Sequence, residues 1–120
     1  MKHKIAKYFL FLGMISCKYD KNVSPEASCQ ADVLSVVSYK NNIQKILIDN
    51  CNACHSNANH SGGVKLEDFE DVKFWASSGI LLDQIISVNG SIPQMPKGGK
   101  LSDCEVKFIQ NWIKQGELDN

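Results

Sequence analysis

Cys51-Asn52-Ala53-Cys54-His55 narrows what this chain can become more than any other feature. Two thiols three positions apart lie about one helical turn from each other, with an imidazole directly after the second. That spacing suits the two vinyl groups on one edge of a porphyrin, with His55 beneath the iron as the proximal ligand. Other uses of the pair stay open at this point. It can be half of a zinc site that His55 or His60 and Cys104 complete. It can be a thioredoxin-like dithiol, although no βαβ pattern surrounds it. It can close as a tight local disulfide, which leaves His55 without a role. Covalent haem attachment uses all three residues.

At 120 residues the chain has room for one compact domain. A formal net charge of zero with 43% apolar residues excludes a disordered charged tail and argues against nucleic-acid binding. A domain of this size buries a limited core and often needs a disulfide, metal or cofactor to hold it. The N-terminus carries Lys2, Lys4 and Lys7 without an acid, then the apolar run YFLFLGMI, then Ser16-Cys17. Basic, apolar and small-residue regions in that order describe a secretory signal. The apolar run is too short to cross a hydrocarbon core of ~30 Å as a helix. A plain signal peptide ending near a cysteine and a short membrane-embedded anchor are the alternatives.

Met14-Ile15-Ser16-Cys17 resembles a bacterial lipoprotein box, which implies cleavage before Cys17 and lipid on that cysteine. The expected organisation is a lipoprotein-type signal over 1–16, a tether over 17–38 and a folded domain over 39–120. Removing 1–16 leaves ten lysines against thirteen acids, a mildly acidic domain. It also leaves Met95 as the one methionine, His55 and His60 as the only histidines, and all five cysteines in an oxidising compartment.

Apolar spacing points to helices throughout. Ile43, Ile46 and Leu47 share a face over 39–50, a segment that runs into Cys51. Residues 55–65 are rich in Ser, Asn and Gly and read as a loop. Phe69, Val72 and Trp75 mark a helix over 67–77 that ends near Gly79, and a short one follows over 80–88, stopped by Asn89-Gly90. Two prolines and two glycines make 91–100 a loop. Ser102-Asp103-Cys104-Glu105 is a capping-box pattern, followed by a stripe of Val106, Ile109, Trp112 and Ile113 and a stop at Gly116. No segment alternates with period two. The expected class is all-α.

A haem iron held by one His has a sixth position to fill, for which Met95, His60, a lysine or water are the candidates. Met95 sits between Pro93 and Pro96, in a loop whose fixed φ angles reduce the freedom of a ligand. No helical stripe claims it for a core. His60 is only five residues from His55, a reach of at most ~17 Å around the haem edge. A solvated loop position suits it better.

The runs CNACH and PQMPKGGKLSDCEVKFIQNWIKQGE resemble the small monohaem c-type cytochromes of bacterial envelopes, nearest to lipoprotein-like members with an MP-x-GG-x-LSD ending. The resemblance covers about residues 38–117. It implies a cytochrome c-like fold of three to five helices around one covalent haem c. Cys51 and Cys54 match the thioether cysteines, His55 the proximal iron ligand and Met95 the distal one. It further implies that the last helix crosses the one before the motif, with Ile43, Ile46, Leu47, Ile109, Trp112 and Ile113 forming both that contact and the haem wall. The chain departs from a common pattern in having no Arg, so no bidentate guanidinium can hold the haem propionates; lysines, backbone N–H groups, Asn side chains or a Trp indole must serve, or the propionates stay in water.

With Cys17 lipidated and two thiols on haem, Cys29 and Cys104 remain as an even pair. A Cys29–Cys104 disulfide is the expectation, with two separate thiols the alternative. A loop of this length gives roughly 4 kcal/mol in the chain-entropy argument. Together these expectations describe a lipid-anchored carrier of single electrons between envelope redox partners, rather than an enzyme. The rivals are a haem enzyme or gas sensor in which Met95 is displaced, and a zinc-stapled structural lipoprotein.

Overall fold

The structure, a computed structural model, describes Cys29 and residues 36–86 and 91–120. The expected signal, Cys17 and most of the expected tether lie outside these residues, as does the Asn89-Gly90 stop. Among the described residues every regular element is helical and none is a strand, in keeping with an all-α class.

The first helical segment opens as a π-turn over Tyr39–Ile43 and continues as α1, Gln44–Asn50. Ser38 caps it: its Oγ accepts from the Asn41 N–H at 3.2 Å, and its carbonyl accepts from both Asn42 and Ile43. The first N–H groups of a helix have no partner of their own. Here Asn120, from the far end of the chain, supplies one: its Oδ1 accepts from Tyr39 N–H at 2.9 Å and its carbonyl from Lys40 N–H at 3.1 Å.

Cys51 leaves helical geometry (φ −123°, ψ −42°), and α2 runs Asn52–His55. After it the Ser/Asn/Gly stretch makes a single 3₁₀ turn over Ser61–Gly63, where Gly62 and Gly63 both take positive φ. This loop is tied down. Asn57 N–H donates to Glu67, Asn57 Nδ2 to Asp68, and Asn59 Nδ2 to the Ala53 carbonyl.

Helix α3 spans Phe69–Ser77, starting two residues later than its sequence pattern, because Asp68 is extended and stands as the N-cap. Glu70 and Asp71 in its first turn suit the positive end of the helix dipole. Gly79 (φ 80°) ends α3 and begins α4, Ile80–Ile85. The expected 80–88 helix is therefore shorter: Ile86 is already extended, and residues 87–88 are outside the described set. Helix α5, Asp103–Lys114, carries the expected capping box, with Ser102 Oγ accepting from Glu105 N–H and Glu105 Oε2 from Ser102 N–H.

The core gathers Ile43, Leu47, Val72, Leu81, Ile109 and Trp112 into one cluster. Trp112 is fully buried and donates its indole N–H to the Leu118 carbonyl at 3.0 Å. Tyr39 packs edge-on to Phe69 (centroids 4.8 Å) and tilted on Trp112 (5.5 Å). One aromatic trio thus joins the start of the first helix to α3 and α5. The contact expected between the first and last helices is present, with Ile113 only half-buried. Asn50 Nδ2 adds a polar link to Glu105 Oε1 at 3.1 Å.

The folded unit reaches upstream of 39. Val37 is buried and donates its N–H to Gln115 Oε1. Cys29 is bonded to Cys104, 75 positions away, with 5.7 Å between their Cα atoms. The expected disulfide is therefore present, and it fastens the N-terminal segment to the first turn of α5.

Candidate functional site

The motif helix, the strand-like return after it, α3, α4 and the proline loop enclose a cavity of about 620 Å³. This lies within the range of small-molecule and cofactor sites. Cys51, Cys54, His55 and Met95 all stand on its wall. The structure brings together the four residues that the sequence singled out to attach and ligate a haem.

The motif reaches the wall because Cys51 interrupts the helix. Its carbonyl accepts from the N–H groups of Cys54 (3.1 Å) and His55 (3.0 Å), which turns the next four residues tightly toward the cavity. His55 is only 8% exposed. Its Nδ1 lies 3.2 Å from the Val64 carbonyl, and a carbonyl can only accept, so Nδ1 bears the proton in that bond. Nε2 is then the nitrogen with a free lone pair, the state a metal ligand requires. Leu66 N–H donates to the His55 carbonyl at 2.7 Å, so the residue is held through side chain and backbone.

Cys54 is exposed and Cys51 half-buried, and both are free thiols. Burial pushes the Cys51 thiol up to about 11, with the Glu105 carboxylate adding to the effect. At neutral pH it stays a protonated thiol and a poor thiolate nucleophile. Cys104 is taken by Cys29, which removes it from the zinc set considered above. No group of three or more His, Cys, Asp or Glu side chains gathers as a metal site among the described residues.

Met95 is half-buried and arrives from a separate stretch of chain. Its N–H donates to the Gln84 carbonyl at 2.9 Å, which docks the loop on α4. Gly99 N–H closes a turn onto the Pro96 carbonyl at 3.2 Å, with Gly98 at φ 79°. His60 does not line the cavity. It is exposed, with its Nδ1 3.2 Å from the Asn57 carbonyl.

The six residues expected as haem wall, Ile43, Ile46, Leu47, Ile109, Trp112 and Ile113, do not line the cavity, because they are used in the core between the first and last helices; other residues form the rest of the wall. Leu66, Leu81 and Ile85 belong to the buried core and also face the cavity. Trp75, expected only as part of a helical stripe, lines it from α3. Ile80 lines it while remaining 45% exposed, an apolar side chain left at an opening. A signal was present in the run Ile80-Leu81-Leu82, which holds more apolar residues in sequence than one buried helix face needs. Gln84 and Lys97 are polar wall residues of a kind that spacing does not reveal.

The donor set suits a haem: two thiols, an imidazole with Nε2 free and a thioether, on a wall otherwise mostly apolar. No protein-family model matches the chain, and no curated protein or solved structure matches it.

Proposed function

We propose that this chain is an exported monohaem c-type cytochrome that carries single electrons between redox partners of a bacterial envelope. The observation that carries the proposal is the shared cavity of about 620 Å³ with Cys51, Cys54, His55 and Met95 on its wall. Bound haem would supply a one-electron iron couple. The chain's own residues account for the rest. Cys51 and Cys54 would anchor the group through thioether bonds, so that a small core need not hold it by burial alone. His55 would present Nε2, its ring orientation kept by the Nδ1–H bond to Val64. Met95 would present its sulfur, the loop being fixed on α4 through Gln84. Leu66, Trp75, Leu81 and Ile85 would keep water away, and with His55 and Met95 both engaged by the group the wall would offer a substrate no further imidazole or thioether donor. The tether on Cys17, with the lipid it would carry, follows from the lipoprotein-like sequence and would hold the domain at a membrane.

The test is the absorption spectrum of the chain matured with haem-attachment machinery. A c-type pyridine haemochrome is expected, with the long-wavelength methionine–iron band in the ferric protein. Met95→Ala is expected to abolish that band. A preparation without covalent haem overturns the proposal, and an unchanged Met95→Ala spectrum overturns the distal assignment.

A further inference from the structure

Lys97 is the one charged side chain on the cavity wall; the polar groups around it there are neutral, as with Asn50, Ser61 and Gln84. It is exposed, at the open side of a mostly apolar chamber, and it forms no ion pair with any described residue. Its backbone is not free to wander. The Pro96–Gly99 turn closes around it through the Gly99 N–H, and the bond from Met95 N–H to Gln84 fixes the turn against α4. None of the other described lysines lines the wall. Lys45 is paired with Asp49 at 2.8 Å, Lys73 lies over the Phe69 ring, and Lys100 is exposed without reaching the wall.

An apolar chamber with one cation at its opening selects for an apolar body that carries an anionic edge. We infer that Lys97 is the binding residue for a carboxylate of the cavity's occupant, in a chain that has no Arg to do this. The inference rests on the haem reading, where that carboxylate is a propionate. A single short loop then supplies both the candidate axial sulfur and the counter-charge. Lysine suits the position because its ammonium is a point charge on a flexible stem and can meet a carboxylate that stays partly in water. No bond is made or broken in this contact.

The test uses the full-length chain with its disulfide intact and two metal-free probes, protoporphyrin IX and its dimethyl ester. Binding is read from quenching of tryptophan fluorescence, since Trp75 lines the cavity. Lys97→Gln is expected to weaken the diacid about fivefold, the effect of one solvent-exposed ion pair, and to leave the ester unchanged. Lys97→Arg should restore diacid binding. Lys100→Gln loses the same charge three residues away and should change nothing. The ester serves as the fold control within the same variant. Equal weakening of diacid and ester by Lys97→Gln overturns the inference, as does a Lys100→Gln effect of the same size; the haem reading survives both. Failure of the unmodified chain to bind the diacid more tightly than the ester also overturns the inference, while the haem reading, which rests on covalent attachment, is judged by its own spectrum.

Discussion

His55 and Met95 stand on one cavity wall, yet the structure holds them by opposite means. His55 is almost fully buried and is fixed by its ring, its N–H and its carbonyl, all within a short stretch that leaves α1 and returns at Leu66. Met95 is half-buried, and one backbone bond to Gln84 anchors it. Its neighbours Gln94, Lys97 and Gly98 are exposed, and Ile92 is 80% exposed. The first side is built into the core; the second is laid over it. Damage to the first should therefore unfold the domain, whereas damage to the second should stay local and change the site without the fold.

The largest effect is expected where the first side meets the core. Trp112→Ala removes a fully buried side chain from the contact with Tyr39 and Phe69 and leaves a cavity beneath the first helix. A loss of about 3–5 kcal/mol in urea denaturation is expected. A loss below ~1 kcal/mol would mean that the helices bearing the motif do not depend on α5.

Next comes the disulfide. The double variant Cys29→Ala with Cys104→Ala releases a closure over 75 positions and frees the first turn of α5. The expected cost is about 2–4 kcal/mol, again by urea denaturation. Because Glu105 follows Cys104 and bonds Asn50, the disturbance should reach the motif before it reaches the Met95 loop. Hydrogen exchange that quickens first in 92–100 would reverse the comparison.

These two regions also differ in how far they could be read from sequence. The motif, the capping box at Ser102 and the α5 stripe are local patterns, in which residues one to four positions apart act on each other through the geometry of a single helix. They appear in the structure where the pattern puts them. What escaped is what distant segments build together. Asn120 completes the first helix across 81 positions of chain, and nothing near Tyr39 announces it. Trp75, Ile80 and Lys97 become wall residues only because α3, α4 and the loop fold around one space. Asp68 shows the local limit: its acid fits a helix interior as well as a cap, and backbone geometry decided for the cap. The cysteine pairing was legible by subtraction, since three of the five could be given other tasks before any geometry was known, which leaves Cys29 and Cys104.

Alkaline pH offers a smaller probe, aimed at the motif. The Cys51 thiol is raised by burial from 9.0 to about 11 in the folded chain, so the fold favours its protonated form. That stabilisation is complete below pH ~9. It is lost as pH rises toward 11, because the unfolded chain gives up its proton first. About 2–3 kcal/mol should disappear over this window in the chain without haem. Tyr39, raised to about 12 by burial, adds a separate loss at the upper end. Cys51→Ser should flatten the part between pH 9 and 11 and keep the Tyr39 part. Thioether formation at Cys51 should do the same, which makes the alkaline profile a test of attachment that needs no spectrum. A profile that Cys51→Ser leaves unaltered would show that the thiol is not buried.

The sharpest test of the comparison has the smallest effect. Gly79 and Gly98 hold nearly the same backbone angle, φ 80° and 79°, and an added Cβ meets nothing within 4 Å at either. Alanine at each position thus imposes the same local strain, about 1–2 kcal/mol, with no clash to confuse it. What differs is whether the surroundings can yield. Gly79 joins α3 to α4, whose Ala76 and Leu81 are buried, so Gly79→Ala should express the full strain as lost global stability. Gly98 lies in an exposed turn, so Gly98→Ala can relax by shifting the loop and should cost less than about 1 kcal/mol in urea. That relief moves Met95, two residues from Lys97 in the same turn. Gly98→Ala should therefore weaken the methionine–iron band of the haem-loaded protein, while Gly79→Ala leaves it in place. If the two variants lower the urea midpoint equally, the loop is as much a part of the core as the helices, and the contrast between the two sides of the cavity fails.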